Sequence, residues 1–234
     1  MLKRRPERSE MAARTADLLD QMRPSIDATI ASLEKVEFRE DPIGGLEYSR
    51  ATSIISSAYK RHGQILEQAL CLRLKSCPYF SVWSEPEFAV SAAADHIVSS
   101  STPEQCLSTN IPYGESVRTL QADILVYDKR ANTLRAYEVK RGNGNFDAGK
   151  RRSILRDLLC TQVLLQSYGE TKGFRVTVAE ARIIFYYGIC SLPKPFSLTG
   201  RELDDHFVFP VFDEMERVNM YFREKLCELL KHPT

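Results

Sequence analysis

The chain carries almost no net charge: 32 Lys and Arg stand against 31 Asp and Glu, a formal +1 over 234 residues. No global field draws a polyanion, so any nucleic-acid contact has to come from a local patch. There is no apolar run of membrane-spanning length. Lys3, Arg4, Arg5 and Arg8 imitate the basic start of a secretory leader, but Ser9, Glu10 and Arg14 follow where an apolar stretch is required. The six cysteines form no CxxC pair and no close Cys/His cluster of zinc-ligand spacing. That pattern predicts a reducing, cytoplasmic compartment. Internal repeats, GxxxxGK[ST], GxSxG and HExxH are all absent, and His62, His96, His206 and His232 are scattered, as structural or exposed histidines are.

What is present suffices for one substantial core, since 43% of the residues are hydrophobic. Met11, Leu18, Leu19, Met22, Ile26, Ile30 and Leu33 fall near helical spacing and predict a helix over 9–36, kinked or divided at Pro24. After the turn residues Asp41 to Gly45, a second helix is expected over 51–75, weakened at Gly63. The segment 79–90 reads as a strand in which Pro86 marks an edge or a bulge. Residues 92–118, rich in Ser, Thr, Pro and Asn, predict a long loop or an insertion. Helices are expected over 148–168 and 212–231, and an apolar strand, covered on both faces, over 181–188. At its end, Tyr186, Tyr187, Gly188 and Ile189 read as strand core. Strands and helices mixed in this way make an α/β or α+β fold. An N-terminal helical extension, 1–50, is expected to precede the main domain, 51–234.

The most informative stretch runs from Asp123 to Lys140. It reads as a β-hairpin, and a turn centred between Arg130 and Ala131 makes opposed residue numbers sum to 261. Asp123 then faces Glu138, and the strand period of two adds Lys140 to their face. Like charges directly opposite destabilise a sheet, so a pair of acids here is favoured if a divalent cation holds them. An odd-length loop shifts the register by one residue and breaks the pairing. A strand facing water also shows alternating charges of this kind.

Three flanking signals bear on the choice. Glu67 sits beside the apolar helical stripe of Leu66 and Leu70, where it either approaches the sheet or remains a solvated residue near Arg73 and Lys75. Between 140 and 156 lie Lys140, Arg141, Lys150, Arg151, Arg152 and Arg156 against one acid, Asp147, an excess of five positive charges. With the Gly/Asn loop of Asn143 and Asn145 just before a helix start, this is a candidate phosphate-binding rim, although most charge runs are solvated faces. Gln162 and Gln166 share one helical face, with Tyr168 nearby, and either look toward a substrate or belong to the ordinary surface.

Glu67 on a helix, Asp123 on a strand, Glu138-Val139-Lys140 on the next strand and a basic helix after it resemble the PD-(D/E)xK nuclease superfamily. The resemblance spans about 63–188, somewhat over half of the chain. Ala122 stands where that family often has Pro, while Glu-x-Lys is intact. The resemblance implies a restriction-endonuclease-like mixed sheet flanked by helices. It implies Asp123 and Glu138 as ligands of Mg²⁺, or of Mn²⁺ instead, with the Val139 carbonyl as a further oxygen donor. Lys140 would position or activate the attacking water, and Glu67 would act as an accessory acid. Arg141, Asn143, Asn145, Lys150, Arg151, Arg152, Arg156 and Gln162 become the expected DNA contacts.

The expected function is thus a Mg²⁺-dependent DNA endonuclease, most like a stand-alone type II restriction enzyme acting on double-stranded DNA as a homodimer. A repair, recombination or mobile-element nuclease is the alternative within enzymes. A non-catalytic DNA-binding protein of the same fold, or a scaffold unrelated to DNA, is the alternative outside them.

Overall fold

The structure is a computed structural model that describes residues 17–35 and 37–231. Of the first expected helix, residues 9–16 and 36, with Met11, lie outside the described residues, as do the basic residues at positions 3–8 and His232. Among the described residues the fold is mixed α/β, with seven α-helices and one five-stranded mixed sheet. None of these helices is long and apolar enough to cross a membrane.

The chain divides into two compact units, one of residues 66–212, the other of the described residues up to 65 and from 213. The division falls inside a helix at 65/66, whereas sequence placed a boundary at 50/51, and the C-terminal helix groups with the N-terminal ones. In the second unit, α1 (Leu18–Glu34) buries Leu18, Met22, Ile26 and Leu33 and runs through Pro24 without dividing. Pro24 is exposed, so water can satisfy the Asp20 carbonyl that its missing N–H leaves free. The long helix α2 (Gly45–Lys75) is likewise continuous past Gly63. A Cβ built on Gly63 meets nothing within 4 Å. Gly63→Ala is therefore expected to stabilise the protein by about 0.5–1 kcal/mol, read as a rise of about 1–3 °C in Tm.

The larger unit holds the sheet, in the order β1 (Phe80–Val90), β2 (Arg118–Asp128), β3 (Thr133–Lys140), β4 (Val178–Phe185) and β5 (Ser197–Thr199). The first three strands run antiparallel, while β3/β4 and β4/β5 are parallel. As Pro86 predicted, β1 is an edge strand, with irregularities on both sides of Glu85. The parallel step from β3 to β4 requires a crossover, and α5 (Ala148–Thr171) supplies it. Asp147, the lone acid of the basic stretch, caps that helix by accepting from Lys150 N–H at 2.9 Å. Ile154, Leu158, Leu159, Val163 and Leu164 of α5 share one core with Leu125, Leu134, Ala136, Ile183 and Phe185 of the sheet.

Two sequence expectations fail here. Residues 92–118 are not a long loop, because α3 (Ala92–Ser100) and α4 (Pro103–Leu107) occupy most of the stretch. Both are announced by caps: Ser91 accepts from Ala94 N–H, and Thr102 with Gln105 forms a capping box that has Pro103 in the first turn. And β4 ends at Phe185, not at Gly188, because Gly188 sits at φ 92° in a turn. The remaining helices are α6 (Leu203–Phe207), after a short 3₁₀ turn, and α7 (Phe212–Lys231), whose bounds agree with the apolar pattern.

Candidate active site

The hairpin register is the one implied by an even, four-residue connection: Ile124 pairs Tyr137, Leu125 pairs Ala136 and Asp128 pairs Thr133. The paired register ends at Ile124–Tyr137, one step short of Asp123 and Glu138. There the Val139 N–H donates to Asp123 Oδ2 at 3.0 Å. Asp123 thus closes the β2/β3 ladder with its side chain, a correction to the simple picture of two carboxylates opposed within it. Ala122 and Leu125 bury into the same core, which a strand of strict period two does not allow. The β2 strand changes face at Asp123 and Ile124, where its β1 partner is itself irregular.

Four ionisable groups converge at this end of the sheet. Lys140 Nζ lies 2.6 Å from Glu138 Oε1, with both side chains about one-third exposed. Gln121 Nε2 donates to the second oxygen of Asp123, Oδ1, at 3.2 Å. Burial pushes the Asp123 carboxyl upward, opposed by the Val139 N–H and Lys140, and the Glu138 charge adds to the rise. From α2, Glu67 reaches the same group: burial first, then the Asp123 charge, push its carboxyl up to about 7, while Lys140 pulls it down. Arg73 is engaged elsewhere, through Pro210 O at 2.8 Å and the Phe209 ring, and the charges that act on Glu67 are those of Asp123 and Lys140. Glu85, the nearest alternative acid in sequence, binds the Tyr168 hydroxyl and Lys172.

A raised carboxyl gives a pH signature. Glu67 ionises near 4.5 in the open chain and near 7 here, so the folded state holds the extra proton between those values. Its contribution to stability is full below about 4.5 and is lost as the pH rises through 7. Glu67→Gln is therefore expected to raise stability at pH 8 by about 1–2 kcal/mol, after discounting for solvent that reaches a half-buried group, and to change little at pH 4.5. Urea unfolding at the two pH values reads this directly; equal shifts at both would disprove it.

The basic segment follows Lys140 directly in the chain. Lys150, Arg151 and Arg152 are exposed in the first turn of α5, which carries no acid. Cations at a helix N-terminus oppose its dipole, so helix stability does not account for them. Arg141 lies with its guanidinium over the Tyr187 ring, 5.6 Å from the centroid, and Asn143 and Asn145 are exposed in the preceding loop. Arg156 is exposed but paired with Asp95 at 2.9 Å. Gln162 does not join the rim. It is buried, and its amide bridges the β4 backbone, to Ala179 O at 3.1 Å and from Ala181 N–H at 2.7 Å. Tyr168 is likewise buried, against Trp83 and Glu85. Sequence missed two residues here. Gln121 was findable as the neighbour two positions before Asp123, and Gly142, the tight turn after Lys140, as a glycine in a loop.

Among the described residues, no three His, Cys, Asp or Glu side chains stand close enough to enclose a metal ion. The donor set still suits a hard cation. Asp123 and Glu67 are acids whose ionisation is opposed by burial and by neighbouring negative charge, and a divalent ion relieves both. No protein-family model, no curated protein and no solved structure matches this chain.

Proposed function

We propose that the protein is a Mg²⁺-dependent DNA endonuclease of the PD-(D/E)xK type, with a restriction-endonuclease-like core. The observation that carries this reading is the cluster in which Asp123 accepts from Val139 N–H at 3.0 Å and Lys140 lies 2.6 Å from Glu138, with the Glu67 carboxyl feeling the charges of Asp123 and Lys140. Carboxyls raised by burial and by a specific charged neighbour are the kind of group that functional sites assemble.

Asp123 and Glu138 would hold Mg²⁺ or Mn²⁺, with Glu67 and the Val139 carbonyl as further oxygen donors. A divalent ion bound there would neutralise charge developing on the phosphate and acidify a bound water. Lys140, only 2.6 Å from Glu138, is placed to orient that water. Arg141, Lys150, Arg151 and Arg152 bind the phosphodiester backbone on either side, and Asn143 and Asn145 lie along the same loop. The six free thiols suit a cytoplasmic enzyme. A restriction-type enzyme and a repair or recombination nuclease share this chemistry and differ in the DNA that they accept. For a continuous duplex, cutting both strands takes two sites, and a symmetric homodimer supplies them.

Supercoiled plasmid, linear duplex and branched DNA, each incubated with the full chain in Mg²⁺ or in EDTA, test the proposal. Cleavage of at least one, abolished by EDTA, is expected; intact DNA in every Mg²⁺ reaction rejects it. Neutralising Lys150, Arg151 and Arg152 together is expected to weaken DNA binding and to lower the slope of log K against log salt by up to about 3, near 0.9 for each phosphate that the protein no longer neutralises. An unchanged slope removes the first turn of α5 from the interface.

A further inference from the structure

Past the end of β4, beside Lys140, the chain presents a ring and an aliphatic side chain to solvent. Tyr187 is 44% exposed and Ile189 41%. Single exposed apolar residues need no explanation. These two share one short segment whose backbone is pinned to the loop after the Glu-x-Lys strand. Tyr187 N–H donates to Arg141 O at 2.7 Å and Ile189 N–H to Gly142 O at 2.9 Å. Phe146 N–H donates to Ser191 Oγ at 3.1 Å. Beneath, the buried Tyr186 ring meets Tyr187 edge-on, with centroids 5.3 Å apart, and the Arg141 guanidinium lies over the Tyr187 ring. The result is a ledge: an exposed ring with a guanidinium over it, and an exposed alkyl group two residues on, carried on a backbone hydrogen-bonded to Lys140, Arg141 and Gly142.

Building on the nuclease reading, we infer that this ledge receives an unpaired nucleotide beside the scissile phosphate, so that the substrate is DNA with a single-stranded segment, such as a flap or fork. In a continuous duplex both faces of every base are covered by its neighbours, and only an unstacked base offers a face to a ring or a guanidinium. Reading a duplex takes polar groups that reach base edges in a groove, and an aliphatic ledge is poor at that. Lys140, Arg141 and the exposed Lys150, Arg151 and Arg152 supply the cationic track that a single strand also needs. Stacking surface and cations then combine as single-strand binding requires.

The test is fluorescence anisotropy of the full chain in EDTA with labelled flap, single-stranded and blunt duplex oligonucleotides, followed by cleavage of the same DNAs in Mg²⁺. Wild type is expected to prefer flap over blunt duplex by about tenfold or more, Tyr187→Ala to lose most of that preference, and Tyr187→Phe to keep it, as stacking without the hydroxyl predicts. Equal affinity of wild type for flap and duplex, or an unaltered preference in Tyr187→Ala, overturns the inference while Mg²⁺-dependent cleavage leaves the nuclease reading standing. Flap binding that depends on Tyr187 without any cleavage rejects the nuclease and retains the ledge as a single-strand site. No binding to any oligonucleotide overturns both.

Discussion

Glu138→Gln is expected to lower Mg²⁺-dependent cleavage by about 10³-fold and to leave Tm within about 2 °C of wild type. The two halves of that result have separate causes. Gln keeps the shape of the side chain but removes the charge that would hold the cation and that now holds Lys140 at 2.6 Å. A pair whose side chains are one-third exposed stabilises a fold by only about 0–1 kcal/mol. Asp123→Asn is expected to lose activity to the same degree, because the Asn carbonyl can still accept from Val139 N–H but cannot supply a charged ligand. Stability in that variant is expected to hold or to rise at pH 8, since a buried carboxyl no longer has to ionise. Lys140→Met completes the set. Loss of cleavage with the fold retained marks a site; unfolding in all three variants marks a structural network, and unchanged cleavage in any one of them removes that residue from the chemistry.

The combination with Glu67→Gln is the more telling result. Burial opposes the ionisation of both Glu67 and Asp123, and neighbouring negative charge adds to it. If the proposed site is correct, variants that relieve this penalty are expected to gain stability as they lose cleavage.

How much of this was legible in the sequence depended on the range of the interactions involved. The hairpin register followed from a turn centred between Arg130 and Ala131, a local feature against which an odd-length loop was the alternative, and the structure has that register. Where the ladder stops was not legible, because it depends on the irregular β1 partner around Glu85, more than thirty residues away. Glu67 had a position beside a stripe but no direction, and only packing could turn it toward Asp123. Helical spacing put Gln162 and Gln166 on one face without saying which way that face looks; for Gln162 it looks at the sheet, where the amide serves β4. The helices of 92–107 were missed although their caps are written in Ser91, Thr102, Pro103 and Gln105, because weak apolar periodicity was weighed above capping. Tyr187 was read as core because an apolar run gives no sign of where a strand stops pairing. The left-handed turn at Gly188 supplies the stop.

Gly142→Ala is the substitution expected to damage the fold most for the smallest change in mass. Gly142 sits at φ 66°, in the left-handed region where a Cβ costs about 1–2 kcal/mol. A Cβ there would also stand 2.7 Å from Phe185 Cβ and 2.8 Å from the Phe185 carbonyl carbon, too near for the backbone of a core strand to yield cheaply. Together the two effects are expected to destabilise by about 3 kcal/mol or more, a fall of about 6–12 °C in Tm. The damage should extend to activity, because Gly142 O accepts from Ile189 N–H and the adjoining Arg141 O from Tyr187 N–H, the bonds that hold the loop after Lys140 against β4. Gly144→Ala, two residues on, is the matched control: no atom lies within 4 Å of its Cβ, and both Tm and cleavage should stay near wild type. If the two alanine variants melt together, the close approach to Phe185 does not constrain the loop, and the ledge built on it loses its foundation.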